Sequence, residues 1–254
     1  MKICQILLFT VFCFCLLSSA SFSQDLSPRE IVKRSDDLMR RDTREGIYAM
    51  TISTPNWERT LKLYVCSKGR DKFLIRILSP IKEKGTMTLR IKNEMWNYLP
   101  RVERTIKIPP SMMLESWMGS DFTNDDLAQE TSVVDDYEHT LAGTEKIDEE
   151  EVYVIAMIPK LHVGATWEKR IVSIRKKDFI PVREEFYGKD NKLIKVLHYS
   201  QIEKISDRTI PTRWEMVSEN KKGRRTIIEV DKKVVYNAPI DDSIFSLQSL
   251  RSKN

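Results

Sequence analysis

The sequence is poor in the residues that usually build disulfide frameworks, nucleotide-binding loops and metal sites. Among its 254 residues only four are cysteine, eight are glycine and three are histidine. Three of the cysteines lie within the first 15 residues, so Cys66 is the one cysteine in the rest of the sequence. This single cysteine excludes an internal disulfide after residue 15, and the apolar core must stabilise the fold unaided.

Motifs for covalent chemistry are also missing. The sequence contains no G-x-S-x-G turn, no P-loop and no G-x-G-x-x-G pattern. Its histidines are too far apart for H-E-x-x-H, and the acidic residues at 121, 125 and 126 lack the spacing of a calcium loop. These absences predict a protein that is not an enzyme, with no catalytic residue, no cofactor and no metal site. An enzymatic alternative, an exported hydrolase, is a weaker hypothesis.

The N-terminal segment has the layout of a secretory signal peptide. Lys2 precedes an apolar run that extends to Leu17, and small residues follow it. The run is shorter than the roughly 20 residues that a membrane-spanning helix needs. We therefore predict a signal peptide over residues 1–20, cleaved after residue 20 or 23, and a mature protein that functions outside the cytoplasm.

The charge is mildly basic and spread along the chain. The formal net charge is +5, with 31% charged residues, and lysine and arginine do not gather into a nucleic-acid-binding face. We therefore expect no nucleic-acid partner. Basic residues do occur at two predicted hairpin turns, around Arg70 and around Lys222. They either keep sheet edges soluble or contact anionic headgroups or an acidic transporter domain.

The hydrophobic pattern predicts a mainly β protein of the α+β type. Ser27, Pro28 and Glu30 form a capping box that predicts a helix to about Arg41. From Gly46 the apolar residues alternate with polar ones, which predicts roughly ten to twelve antiparallel strands. No linker divides the chain, so residues 24–254 are predicted to form a single domain. We expect a large curved sheet with a few short helices inside its curve and an apolar space between them.

The run from Met95 to Leu127 is rich in large apolar side chains, and the strand pattern breaks within it at Pro109 and Pro110. Its pattern predicts a short helix over 112–118 and another that begins near Asn124. Methionine and aromatic side chains can repack around ligands of different shape, although such residues are as often simple core residues. We predict that seven residues form the wall or lid of a ligand cavity: Trp96, Tyr98, Met112, Met113, Trp117, Met118 and Phe122.

This same segment resembles a signature of the outer-membrane lipoprotein-sorting-like proteins of the LolA-like superfamily. More narrowly, it is similar to an uncharacterised branch of exported bacterial proteins. The branch has a Trp-x-Tyr-x-Pro strand followed by Ser-Trp-x-Gly-Ser-Asp-Phe-x-x-Asp-Asp-Leu. The matching residues here are Trp96, Tyr98 and Pro100, then Ser116, Trp117, Gly119, Ser120, Asp121, Phe122, Asp125, Asp126 and Leu127. The resemblance extends over essentially the whole mature chain.

The resemblance implies a LolA/LolB-like incomplete β-barrel closed by short helices. It also implies a periplasmic, non-enzymatic carrier that transfers lipid or lipoprotein acyl chains between membranes. The partners expected from it are an inner-membrane transporter or export permease and an outer-membrane acceptor. The arginine that contacts the lid in such carriers has three candidates here, Arg90, Arg101 and Arg104, and is not assigned. An alternative is a sensory or accessory module that binds a membrane export or stress-signalling protein.

Overall fold

The computed structural model describes residues 26–40, 42–128, 132–161, 163 and 165–251. The predicted signal peptide and both of its cleavage sites lie outside the described residues, as does His162. Within the described part of the chain, no helix is long and apolar enough to span a membrane.

The first described element is helix α1, Pro28–Met39. It begins as the capping box predicts, because the hydroxyl of Ser27 accepts a 3.2 Å hydrogen bond from the backbone N–H of Glu30. Proline at the first helical position needs no hydrogen-bond donor there. Ile31 and Val32 are buried on one face of α1, which packs on the sheet beside the strands of its second half.

Fourteen strands, counted over the described ranges, form one curved antiparallel sheet. The first six are β1 Thr43–Ser53, β2 Glu58–Lys68, β3 Lys72–Ser79, β4 Met87–Ile91, β5 Glu94–Leu99 and β6 Arg104–Lys107. The others are β7 Tyr137–Ile147, β8 Glu150–Pro159, β9 Lys169–Arg175, β10 Pro181–Tyr187, β11 Leu193–Ile205, β12 Arg208–Ser218, β13 Arg225–Val230 and β14 Val235–Tyr236.

The sheet consists of two meanders joined at their inner strands. The order runs from β6 back to β1, crosses to β13, and then runs back from β13 to β7, while β14 pairs with the start of β1. Strands β6 and β7 are the two edges and do not pair with each other, so the sheet is open. The predicted class, a large curved antiparallel sheet with a few short helices, is confirmed. The structure has more strands than the predicted ten to twelve, because β6 and β14 are too short to be recognised from their sequence pattern.

The segment between β6 and β7 differs from its prediction. No helix forms over 112–118; instead there are two 3-10 turns, Pro110–Met112 and Trp117–Gly119. The chain folds back on itself here, so the N–H of Trp117 bonds across the turn to the carbonyl of Phe122 at 2.8 Å. Met118 adopts a left-handed backbone conformation with φ of 50°, which an α-helix cannot contain.

The second helix of this segment, α2, spans Asn124–Ala128, close to where its cap predicts it. Its first turn is closed by a reciprocal pair of hydrogen bonds. The N–H of Asp126 donates to the hydroxyl of Thr123 at 3.1 Å, and the N–H of Thr123 donates to the carboxylate of Asp126 at 2.6 Å. Residues 110–128, called the cover segment below, therefore form a folded strap of short turns.

Apolar side chains are buried on both faces of the first meander. On the face called inner below, Leu63 and Val65 join a large core cluster that also contains Trp117 and Phe122 of the cover segment. On the outer face, Cys66 and Leu74 pack against the C-terminal residues Ile240, Phe245 and Leu250. The opposite positions of Val65 and Cys66 follow from strand alternation. Cys66 is a buried free thiol with a pKa raised by burial to about 11, consistent with an inert core residue.

Candidate functional site

A cavity of about 290 Å³ lies between the inner face of the sheet, helix α1 and residues 122–127 of the cover segment. Because strand side chains alternate, each strand contributes every second residue to the cavity wall. The apolar part of the wall includes Met50, Leu63, Val65, Ile75, Met157, Val172, Ile174, Leu197, Met216 and Ile228. The volume is close to the lower end of the range of ligand pockets, roughly 300–1,000 Å³.

Two groups of aromatic rings stiffen this wall. Trp214 lies 6.4 Å from both Tyr48 and Tyr199, measured between ring centroids. Trp167 meets Phe186 edge to face at 5.4 Å. Tilted and edge-to-face contacts are the favoured arrangements of aromatic pairs. The cavity wall therefore combines packed aromatic rings with methionine and aliphatic side chains.

A buried ion pair between Arg170 and Glu184 lies inside this apolar wall. The Nε of Arg170 donates to the Glu184 carboxylate at 2.7 Å, and the guanidinium carbon lies 5.1 Å from the centre of the Phe186 ring. Burial opposes the charged form of Arg170, but the Glu184 carboxylate outweighs it and raises the pKa of Arg170. Burial, with the Glu184 charge, raises the pKa of Tyr199, whose hydroxyl lies 3.5 Å from the same carboxylate.

A second buried pair joins the cover segment to the sheet. Lys195 on β11 binds the carboxylate of Asp126 on α2, and both side chains are almost fully buried. The ammonium also lies 4.7 Å from the centre of the Trp167 ring, a cation–π distance. Burial lowers the pKa of Lys195 against the opposing attraction of Asp126. Burial likewise raises the pKa of the neighbouring Asp125, with the Asp126 charge adding to the effect.

The open end of the cavity is basic. Arg40, Arg44, Arg70, Lys72 and Arg90 all line it there, and these five residues are called the basic rim below. Long-range pairing brings them together, because β1 begins, β2 turns into β3 and β4 ends at this end of the sheet. The outer part of the rim faces solvent, since the side chains of Arg70 and Lys72 are 39% and 31% exposed, whereas Arg90 is buried.

The structure separates the seven residues predicted to form the cavity wall or lid. Phe122 lines the cavity. Trp117 is buried in the inner core cluster, with Met113 and Met118 packed against it. Met112 is 45% exposed. Trp96 and Tyr98 lie on the outer face, in the cluster that the C-terminal segment covers. A ligand-binding role for these seven stays a prediction.

Sequence reasoning missed most of the residues that line the cavity. They include four methionines, Met39, Met50, Met157 and Met216, which lie on four different elements, α1, β1, β8 and β12. Their alternation along predicted strands was visible, but both faces of several strands are apolar. The five residues of the basic rim also come from three separate parts of the sequence, 40–44, 70–72 and 90.

The described residues contain no group of three or more His, Cys, Asp or Glu side chains that could hold a metal ion. Three charged side chains of the cavity wall, those of Arg170, Glu184 and Asp126, are engaged in the two ion pairs. The arrangement offers an apolar space with a basic opening, which is suited to holding a ligand.

The comparisons with known proteins agree with this architecture. A family model described as "Uncharacterized protein" matches residues 69–252, and no curated protein matches the chain. A solved DUF1329 family protein from Desulfovibrio piger has a TM-score of 0.80 at 24% identity, over 88% of this chain and 97% of that one.

Two further structures are similarly related. A LolA superfamily protein from Nitrosomonas europaea has a TM-score of 0.75 at 23% identity, over 88% of this chain and 99% of that one. A domain assigned to outer membrane lipoprotein-sorting proteins from Vibrio parahaemolyticus has a TM-score of 0.78 at 20% identity, over 89% and 98%. The match over residues 69–252 makes this chain a member of the family that the model describes, and its fold is that of the LolA-like outer membrane lipoprotein-sorting proteins.

Proposed function

We propose that this protein is a periplasmic carrier that binds lipid or lipoprotein acyl chains in its cavity and transfers them between membranes without a covalent step. The observation that carries the proposal is the apolar cavity between the open sheet, α1 and the cover segment. The structural relatives include a LolA superfamily protein and an outer membrane lipoprotein-sorting domain, which supports a carrier-like use of this fold.

The energetics of an acyl chain fit such a cavity. Burial gains about 0.8 kcal/mol for each CH₂ group, so a sixteen-carbon chain gains on the order of 10 kcal/mol before entropic costs. The four methionines of the wall can adapt to chains of different shape because their side chains are unbranched and polarisable. The cavity is small for a ligand pocket, so we expect the cover segment to move when a long chain enters.

Transfer between membranes requires partners on both sides. As part of the same proposal, the protein receives its cargo from an inner-membrane transporter or export permease and delivers it to an outer-membrane acceptor. Phe122 of the seven predicted residues would contact the cargo directly. The inner core cluster would hold the cover segment in place through Trp117, Met113 and Met118. Met112 is exposed.

A second candidate function is a sensory or accessory module that docks on a membrane export or stress-signalling protein. It is favoured by exposed apolar side chains at the end of the sheet opposite the basic rim. Ile81 is 85% exposed, Val102 is 59% exposed and Trp57 is 46% exposed, each in a connection between strands of the first meander. Exposed apolar side chains grouped in this way are typical of docking surfaces.

Uptake of the neutral apolar dye Nile red tests the carrier proposal. Phe73 lines the cavity and is only partly buried, so Phe73→Asp places a charge in the wall with limited damage to the core. Leu141→Asp introduces the same charge at a position that is 46% exposed and does not line the cavity. We expect binding to the unmodified protein and to Leu141→Asp, and at least about tenfold weaker binding to Phe73→Asp, a cost of about 1.4 kcal/mol or more. Absence of dye binding to the folded, unmodified protein would contradict carriage and favour the docking module.

A further inference from the structure

The basic rim carries more positive than negative charge. Among the described residues, these five cations and the carboxylate of Asp36 are the charged side chains that line this end of the cavity. Asp36 accepts a 2.6 Å hydrogen bond from Arg40 and also binds Arg70. Lys72 reaches Asp242 at 3.0 Å, but that carboxylate is shared with Lys68. The opening of an otherwise apolar cavity therefore attracts anions.

Two neighbouring buried polar atoms at this rim are among those that have no hydrogen-bond partner within the described residues. One is the hydroxyl of Tyr48, a residue that is only 3% exposed, and the other is the Nε of Arg44. The two side chains are neighbours, since the guanidinium carbon of Arg44 lies 5.7 Å from the centre of the Tyr48 ring. Both side chains line the cavity. An unsatisfied buried donor costs about 1–3 kcal/mol, so a ligand that accepts hydrogen bonds from both atoms would recover that free energy.

Both atoms are hydrogen-bond donors. An arginine side chain has N–H groups and no acceptor at any ordinary pH. Burial raises the pKa of Tyr48 to about 12, so its hydroxyl keeps its proton at neutral pH. A ligand that satisfies both must present acceptor oxygens, and the surrounding cations favour oxygens with a negative charge.

We infer that Arg44 and Tyr48, with Arg70 at the rim, bind the anionic group of an amphiphile, a phosphate or a carboxylate, whose acyl chain occupies the cavity. This inference rests on the proposed carrier function and adds the chemical class of the cargo. The path is continuous, because Met50 is the next inward residue after Tyr48 on β1 and lines the apolar wall. An anionic group beside Arg44 thus places its chain against Met50.

Displacement of Nile red by three twelve-carbon compounds tests the inference. Dodecyl phosphate and dodecanoate carry the anionic group, and dodecanol has the same chain without a charge. We expect both anions to displace the dye at concentrations at least about tenfold lower than dodecanol. Inorganic phosphate is added as a further competitor, because it shows whether the site binds a free anion or the headgroup of a lipid. We expect it to compete with dodecyl phosphate only at concentrations more than about a hundredfold higher.

Two conservative variants test whether the preference for anionic compounds depends on the Tyr48 hydroxyl and on the charge of Arg44. Tyr48→Phe deletes only the hydroxyl, and because that hydroxyl has no partner, the free energy of unfolding should stay equal or rise. Arg44→Gln removes the charge and keeps a polar side chain. Each should weaken dodecyl phosphate about tenfold and leave dodecanol unchanged. Tyr64→Phe, on the outer face, and Arg225→Gln, at an exposed position of β13 that does not line the cavity, are the matched controls.

The outcomes separate the inference from the carrier proposal. Equal displacement by dodecyl phosphate and dodecanol would leave the carrier proposal standing and overturn the anionic site. Failure of Nile red and of all three compounds to bind would overturn both. Inorganic phosphate as effective as dodecyl phosphate would overturn a lipid headgroup as the source of the anion. Unchanged dodecyl phosphate binding by folded Tyr48→Phe and Arg44→Gln would overturn the assignment to these residues.

Discussion

The indole N–H of Trp117 donates a 2.9 Å hydrogen bond to the hydroxyl of Thr88. This contact joins the cover segment to β4 across 29 residues of sequence, and both residues are at most 2% exposed. The same hydroxyl donates to the side-chain oxygen of Asn97 at 2.7 Å. Thr88 therefore connects the cover segment to two neighbouring strands of the inner face.

The first prediction concerns this connection. Thr88→Val keeps the shape of the side chain but leaves the indole N–H and the Asn97 oxygen without their partner. A buried polar group without a partner costs about 1–3 kcal/mol, so the free energy of unfolding should fall by roughly that amount. Urea unfolding followed by tryptophan fluorescence measures it. Thr51→Val is the control, because its hydroxyl pairs with Thr60 at an exposed position and its loss should cost far less.

The second prediction concerns the buried pair that holds α2 on the sheet. Lys195→Met leaves the Asp126 carboxylate in a buried site without its cation. Breaking a buried pair in this way costs about 3–5 kcal/mol, whereas an exposed pair contributes about 0–1 kcal/mol. Lys107→Met breaks such an exposed pair with Glu94 and is the control. Equal stability of the two variants in thermal unfolding would contradict a structural role for the buried pair, and Lys195→Met with Asp126→Asn should recover part of the loss.

The third prediction is a pH dependence that arises from Asp125. Burial raises the pKa of this carboxyl above its usual value of 3.8, so the folded state binds a proton more readily than the unfolded state does. Its contribution to stability is therefore most favourable below pH 3.8 and declines as the pH rises through the folded-state pKa. Asp125→Asn should raise the free energy of unfolding at pH 7, with a smaller gain near pH 4. Chemical unfolding at both pH values gives the comparison, and a gain that grows as the pH falls would show the opposite sign.

The fourth prediction separates two of the seven residues chosen from the sequence. Phe122 lines the cavity, whereas Trp96 packs on the outer face near the C-terminal segment. Phe122→Leu should weaken the binding of a fluorescent fatty acid several-fold. Trp96→Leu should lower stability yet leave the affinity within about twofold. A fatty-acid titration of both folded variants decides this, and the reverse ranking would place the ligand on the other face.

The class of fold could be predicted from the sequence because its causes are local. Alternating residues define strands such as β2, and the capping box at Ser27 defines where α1 begins. The helix predicted over 112–118 of the cover segment is wrong because a backbone hydrogen bond closes the turn between Trp117 and Phe122. The helical spacing of the methionines and Trp117 does not reveal a hydrogen bond of this kind.

The cavity wall was harder to predict because both faces of the first meander are buried. Met95 points to the inner core, while its neighbour Trp96 points to the outer cluster. Alternation shows that the two residues lie on opposite faces but does not show which face carries the cavity. That depends on where α1 and the C-terminal segment pack. Alternation likewise places Arg44 and Tyr48 on the same face of β1, but it does not show that this face lines the cavity.

The most direct test of the account is native mass spectrometry of the protein purified from a periplasmic extract, with extraction and identification of bound lipid. The account predicts one stoichiometric, acyl-containing ligand with an anionic group, released when the protein is denatured. A protein that is isolated empty, and that also fails to take up added dodecanoate or phospholipid in the same instrument, would contradict carriage.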